Sequence, residues 1–374
     1  MAIRALKEVL EEIPDWRQAS GKRHSLGSIL AMAVVAIMCG YRSYSAIAEW
    51  GRNYGLELAT ALGFKSKKTP CAATFHNVFK KLDKELVEEK LTEWAESVMA
   101  AMPTDELEGL AADGKTLRGS RKQGAIDVHL LSIVSHRLGL TLKQQAVPDK
   151  TNEITVLPEI LKNLALAGKV LTMDALNTQR ETAQTIIDNK ADYVMIAKEN
   201  QPQLLEQIET VFQYPEQKAE QRETAEQFDL SRGRIEMRRL TASSILSGYS
   251  DWPGLAQVFK LEREVSFKNS NKQRQESVYG VTSLAVQKAS ASQLLNLVRG
   301  QWTIENKSHY VRDVTFDEDR SQVRTGSIPQ VMAALRNTAI GLMRWAGESN
   351  IAAACRMFAA QPWAALALIG IREN

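Results

Sequence analysis

Leu107 to Ser120 reads LEGLAADGKTLRGS, and the rest of the chain is best understood outward from it. A short apolar run ends in Asp113, after which come Gly114 and the cations Lys115, Arg118 and Arg121. A carboxylate closing a buried strand suits a hard metal ion, and cations behind it suit phosphate. Asp-Gly is also a favoured turn pair, so these residues are equally consistent with an ordinary strand-to-turn junction. Two later stretches tip the balance, because each delivers another isolated carboxylate.

The second is KVLTMDALNTQR, residues 169 to 180, where Asp174 closes the strand Lys169 to Asp174. Asn177, Thr178 and Gln179 are short polar groups suited to capping the next helix, a role Asp174 itself could fill. The third is LLNLVRGQWTIENKSHYVRDVTFDEDR, residues 294 to 320. Leu294, Leu295, Val298 and Trp302, followed by Glu305, His309 and Arg312, keep helical spacing. One helix is therefore expected to bury its start and aim Glu305 and Arg312 at a shared site. Glu318, further along, is expected past the helix end, where it caps or pairs with Arg320 or Arg324.

Residues 1 to 103 read as all helical. Ser25 caps a helix to about Met38, Ser43 or Ser45 one to about Tyr54, and Thr69 with Pro70 opens one toward Lys81. Leu86 to Met102 forms a further helix. Basic residues cluster at Arg17, Lys22, Arg23 and His24, then at Lys65, Lys67 and Lys68. Such clusters are solvated faces or phosphate contacts of a helix-turn-helix-like module.

From Glu108 strands alternate with helices. A hairpin, Val128 to Ser135 and Leu140 to Val147, turns at Gly139, and helices near Val156 to Leu164, Gln179 to Asn189 and Pro202 to Phe212 separate the strands ending at Asp174 and Ala197. This pattern implies a mixed sheet with helices on its faces. Beyond Tyr214 come strands Ile235 to Leu240, Gln257 to Val265 and Ser277 to Leu284, a β-rich insertion carrying SRGRIEMRR. Strand alternation places Arg232, Arg234, Glu236 and Arg238 on one face, with Arg239 beside them in sequence. These arginines are either a charged solvated edge or a surface for DNA backbone.

Composition limits the alternatives. A chain of 374 residues, 44% hydrophobic and 24% charged, is ordinary globular material. A net charge of +3 leaves nucleic-acid binding to local patches. Three dispersed cysteines without CxxC spacing argue for a reducing compartment and against zinc. The start, MAIRALKEVLEEIPDW, lacks a cationic leader with an apolar core, so a cytoplasmic protein is expected. Leu26 to Cys39 and Ile351 to Gly370 read as buried helices rather than membrane spans.

DGKTLRGS, MDALNTQ, KENQ (198 to 201), GRIEMR (233 to 238) and QWTIENKSHYVRDVTFDED together resemble the H-repeat-associated family of insertion-sequence DDE transposases. GKRHSLGSILAMAVVAIMCGYRSYSAIAEWG resembles that family's helical associated domain. The resemblance implies a ribonuclease H-like α/β catalytic domain (104–213 and 279–346), interrupted by the insertion (214–278), preceded by a helical DNA-binding domain (1–103) and followed by a helical segment (347–374). It implies a metal-binding triad of Asp113, Asp174 and Glu305 with Mg²⁺ or Mn²⁺, in two ions, since oxygen ligands favour such ions over zinc. Candidate DNA contacts are Lys115, Arg118, Lys198, Arg232, Arg234, Arg238, Arg239, Arg299, Trp302 and Arg312. The partners implied are double-stranded DNA, as terminal inverted repeats and target, and further copies of the chain in a dimer or higher oligomer. One departure stands out: Gln301 occupies a position where the family pattern usually has His, and Gln carries neither charge nor a titrating proton. A ribonuclease H-like nuclease without strand transfer, or a DNA-binding relic, would share parts of this pattern.

Overall fold

Ser25 begins the first long helix because its hydroxyl accepts the otherwise unpaired N–H of Ser28. In this computed structural model, which describes residues 3–19, 22–120, 127–149, 151–214, 221–231, 233–268 and 270–371, short α1 (Leu6–Glu11) precedes that helix, α2 (Leu26–Met38). Each of its thirteen residues is buried. α3 (Tyr44–Ala61), capped by Ser43, is two helical pieces joined across Gly55, so the first piece ends at Tyr54 as expected; the break has φ 54° and ψ −124°, a pair that only glycine adopts cheaply. α4 (Ala72–Lys81) and α5 (Lys84–Ala101), the latter capped by Asp83, complete the amino-terminal helices.

The strands and helices that follow are β1 (Glu108–Leu117), β2 (Val128–Ser135), β3 (Thr141–Val147), α6 (Glu153–Lys162), β4 (Lys169–Met173), α7 (Arg180–Asp188), β5 (Asp192–Ala197) and α8 (Pro202–Gln213). β1 does not stop at Asp113. It continues through Gly114 to Leu117, so the Asp-Gly pair is strand and not turn. Among the described residues four strands follow where three are expected: β6 (Arg222–Ser231), β7 (Arg234–Ser243), β8 (Gln257–Phe267) and β9 (Ser270–Thr282). β6 escapes periodicity because both its faces are rich in polar residues.

After α9 (Ala291–Thr303) the helix widens into π-helical turns over Ile304–His309 and Val311–Thr315. α10 (Ile328–Trp345), α11 (Ile351–Ala360) and α12 (Pro362–Leu368) close the chain. α11 and α12 are bent by 112° at their junction, and no single helix among the described residues is long and apolar enough to cross a membrane.

Two compact units emerge. One comprises Met1–Asp105, Gly114–Lys150 and Ile304–Asn374; the other comprises Glu106–Asp113 and Thr151–Thr303. In the first, α2 packs against α1, α3, α10 and α11, and the β2–β3 hairpin turns at Gly139 with φ 61°. In the second, β1, β4 and β5 run parallel, and β9 pairs antiparallel with β5 before β8, β7 and β6 extend the sheet. α9 lays Leu294, Leu295, Leu297 and Val298 on a core with Val170, Val194, Leu240 and Phe259. Hydrogen bonding orders the nine strands β3-β2-β1-β4-β5-β9-β8-β7-β6. This is the expected ribonuclease H-like mixed sheet with flanking helices and a β-rich insertion.

Candidate metal and nucleic-acid site

Parallel pairing of β1 with β4 fixes the first half of the site. Register ends at Ala112 opposite Met173, and the next residues are Asp113, still on β1, and Asp174, just past the end of β4. Two carboxylates thus stand at neighbouring positions where the pairing stops. Asp113 is half-buried and Asp174 exposed. Asp174 also serves as a local cap, with Oδ1 accepting from the backbone N–H of Asn177 at 3.2 Å, while Thr178 Oγ1 donates to its carbonyl. Among the described residues Asp174 makes no ion pair. β5 runs parallel to β4, and exposed Lys198 follows β5 directly. The KENQ loop is tied down there: Asn200 Nδ2 donates to the Ala175 carbonyl at 2.6 Å and Gln201 Nε2 to that of Thr178 at 3.0 Å.

Gln301, the departure from the resembled pattern, lies in the same unit. Its Nε2 donates to the Ala112 carbonyl at 3.0 Å, and its Oε1 accepts from Thr172 Oγ1 at 2.6 Å.

Glu305 belongs to the other unit and points outward, its side chain 57% exposed. His309 Nδ1 stands 3.3 Å from its Oε2. That hydrogen bond holds the Glu305 carboxyl below its usual range despite partial burial, with Lys115 adding a smaller attraction. His309 is itself buried, which pushes its pKa down, partly opposed by its bond to Glu305.

Arg312 does not join Glu305. A seven-residue step closes two turns of an α-helix but falls short of two turns in the wider π spiral, so the two side chains face apart. Arg312 is fully buried, with Nε donating to Glu318 Oε2 at 2.7 Å, and Arg336 Nη1 donates to Glu318 Oε1 at 2.8 Å. Glu318 is therefore a buried ion-pair centre and not an exposed partner of Arg320 or Arg324. Burial alone would raise its pKa, but the two guanidiniums outweigh it and hold the carboxyl low. Arg336 leaves no signal in the sequence, because it sits on the apolar helix α10.

Other expected cations are redirected too. Lys115 is buried and its Nζ lies 2.6 Å from Asp313 Oδ2 and 4.0 Å from Asp319 Oδ1, so it is an internal clamp. Arg118 is 79% exposed with Asp319 at 3.7 Å. Gly119 admits no side chain, since a Cβ there would come within 1.9 Å of the Ser321 carbonyl oxygen. Trp302, expected at the helix's buried start, is 63% exposed.

In the insertion, Arg234 and Arg238 share a face with Glu236, as alternation predicts, and buried Glu236 takes both, at 3.6 and 2.5 Å. Arg238 also pairs with Asp229, Arg239 with Glu226 at 2.6 Å, and Arg299 with Asp229 at 2.8 Å. Arg232 and Arg121 lie outside the described residues. A cleft that the sequence reading missed, of about 780 Å³, is lined in the first unit by Trp16, Arg17, Thr74, Asn77, Lys80 and Lys81. The basic end of α4 was its available signal.

Comparison with known proteins decides the family. The profile described as "Transposase DDE domain" matches residues 104–342, and that described as "DDE_Tnp_1-associated" matches residues 7–95. The chain belongs to the DDE transposase family. Among its relatives, "Putative transposase YncI" of Escherichia coli O157:H7 is 31% identical over 358 residues, covering 92% of this chain and 88% of that protein. "H repeat-associated putative transposase YhhI" of Escherichia coli strain K12 is 28% identical over 353 residues, covering 92% and 91%. Among solved structures, the piggyBac transposase synaptic complex with hairpin DNA aligns with a TM-score of 0.45 and 9% identity, over 100% of this chain and 82% of that one.

Proposed function

We propose that the protein is an insertion-sequence transposase that nicks the ends of its element hydrolytically and transfers the freed 3′-hydroxyl into target DNA. The observation that carries this reading is the placement of Asp113 and Asp174 one position beyond the Ala112–Met173 pair, on adjacent parallel strands. Their all-oxygen donor set fits Mg²⁺ or Mn²⁺. With Glu305 they would hold two such ions, which when bound activate the attacking oxygen and stabilise the leaving one in an in-line displacement. The hydrogen bond with His309 holds the Glu305 carboxyl below its usual range, which favours its charged form. His309 thereby orients the third carboxylate, which is a helix-borne group with a longer arm than the aspartates.

Phosphates of the DNA would be held by exposed Lys198 and Arg118, with Trp302 free to stack on an unpaired base. Arg234 and Arg239, each partly exposed, are weaker contacts because acids already share their charge. Residues 1–103 would bind the terminal repeats, with Lys80, Lys81 and Trp16 lining a cleft suited to a phosphate backbone. Residues 104–213 and 279–346 carry the catalytic role and 214–278 the insertion, and at least two copies engage the two ends.

The test uses duplexes bearing the repeats that bracket the coding region. Mg²⁺ or Mn²⁺ supports nicking and strand transfer, Ca²⁺ supports binding with little cleavage, and EDTA abolishes both reactions. Asp174→Asn and Glu305→Gln each lower cleavage by at least roughly a hundredfold while DNA affinity is retained. Full cleavage in EDTA sinks the proposal, and nicking without strand transfer reduces it to a nuclease.

A further inference from the structure

We infer that Gln301 is a positioning residue for the carboxylate site, its side-chain amide fixing the last turn of α9 to both strands that carry the aspartates. The inference rests on the function proposed above. Ala112, whose carbonyl receives the Gln301 N–H, immediately precedes Asp113, and Thr172, whose hydroxyl donates to Gln301 Oε1, lies two residues before Asp174. Thr172 is 1% exposed, and its hydroxyl also lies 3.4 Å from the Leu110 carbonyl. The chain leaves Gln301 through Trp302, Thr303 and Ile304 to reach Glu305. One amide therefore fixes the last turn of α9 against both strand ends that carry the aspartates.

The chemistry demanded at position 301 is narrow. The group must donate toward Ala112 and accept from Thr172 at once. An amide does both at every pH. Neutral imidazole also does both, one nitrogen donating and the other accepting, but protonated imidazole has two donors, so the Thr172 hydroxyl must turn to accept and give its proton to the more distant Leu110 carbonyl, at 3.4 Å. Leucine does neither, so both hydrogen bonds of the staple are lost and the Thr172 hydroxyl keeps the longer contact to the Leu110 carbonyl. Glutamate would set a carboxylate against the Ala112 carbonyl.

Gln301→Leu and Gln301→His in the full chain separate a positioning role from mere packing. In protein free of DNA and added metal, amide exchange over Arg299–Thr303 is expected to quicken about tenfold in Q301L, matching the loss of about one net hydrogen bond. With Mg²⁺ and saturating DNA, Q301L is expected to lower kcat about tenfold with DNA affinity within about twofold. Q301H is expected to match wild type near pH 8 and to fall toward the Q301L rate as pH drops through about 6.5, when expressed as the ratio to wild type. That ratio also guards against misfolding, since the same variant is its own control at high pH. Unchanged exchange in Q301L, or a Q301H ratio flat across this range, overturns the inference. If the wild type shows no metal-dependent cleavage, the transposase reading fails, and the exchange measurement still decides the staple.

Discussion

Glu305 and Glu318 leave the same acidic stretch of chain and finish in opposite surroundings. Glu305 is over half exposed beside His309, with Lys115 a weaker attraction, whereas the Glu318 side chain is 2% exposed between Arg312 and Arg336. A carboxylate saturated by two guanidiniums has its lone pairs committed and serves the fold. One left open to solvent beside a neutralisable imidazole remains available to a cation. Glu88 presents a third solution. It is buried against neutral amides, Gln144 at 2.8 Å and Gln330 at 2.9 Å, and burial pushes its pKa up to about 7 in spite of those bonds and of Lys143. The type of compensating neighbour, more than burial itself, sorts these acids into roles.

The largest effect expected from this contrast is on stability. Glu318→Gln leaves two buried arginines without a counter-charge and should destabilise the protein by about 3–5 kcal/mol in urea unfolding. Glu305→Gln should stay within about 0.5 kcal/mol of wild type, as exposed substitutions do. Wild-type stability in Glu318→Gln together with lost cleavage would reverse the two assignments.

Glu88 gives the next effect, and it is set by pH. The folded carboxyl keeps its proton up to about 7, while the unfolded one ionises near 4.5. Its stabilisation is therefore full below the unfolded value and lost as pH rises through the folded one. Over that window unfolding free energy should drop by about 3 kcal/mol, at 1.36 kcal/mol per pKa unit, and Glu88→Gln should flatten the curve. A wild-type profile already flat from pH 4.5 to 7 would show that Glu88 is ionised in the fold.

The smallest effect belongs to the insertion. Arg234→Ala with Arg239→Ala should reduce the salt dependence of DNA binding by less than about one unit of slope per residue, because Glu236 and Glu226 already share those charges. Slopes reduced by two full units would show that DNA displaces both acids.

Much of this molecule is written locally. Ser25, Ser43 and Asp83 start helices because a side-chain oxygen one turn away satisfies a backbone donor, and alternation brings Arg234, Glu236 and Arg238 to one face of β7. Asp113 and Asp174 could be singled out because each follows a short apolar run, and such runs become parallel central strands. Sequence by itself could not tell that β1 continues past Asp113, since extended backbone through Gly114 depends on what pairs with it. Nor could it see that Lys115 and Arg312 are spent on Asp313 and Glu318, or that Arg336 arrives from α10 to complete a buried ion pair. The shift from α to π turns after Thr303 decided which side of the helix Arg312 would take. Spacing along the chain determines which side chains share an element's face. Which charge meets which is settled only when elements distant in sequence are packed together, because burial makes each ion depend on the neighbour that tertiary structure brings to it.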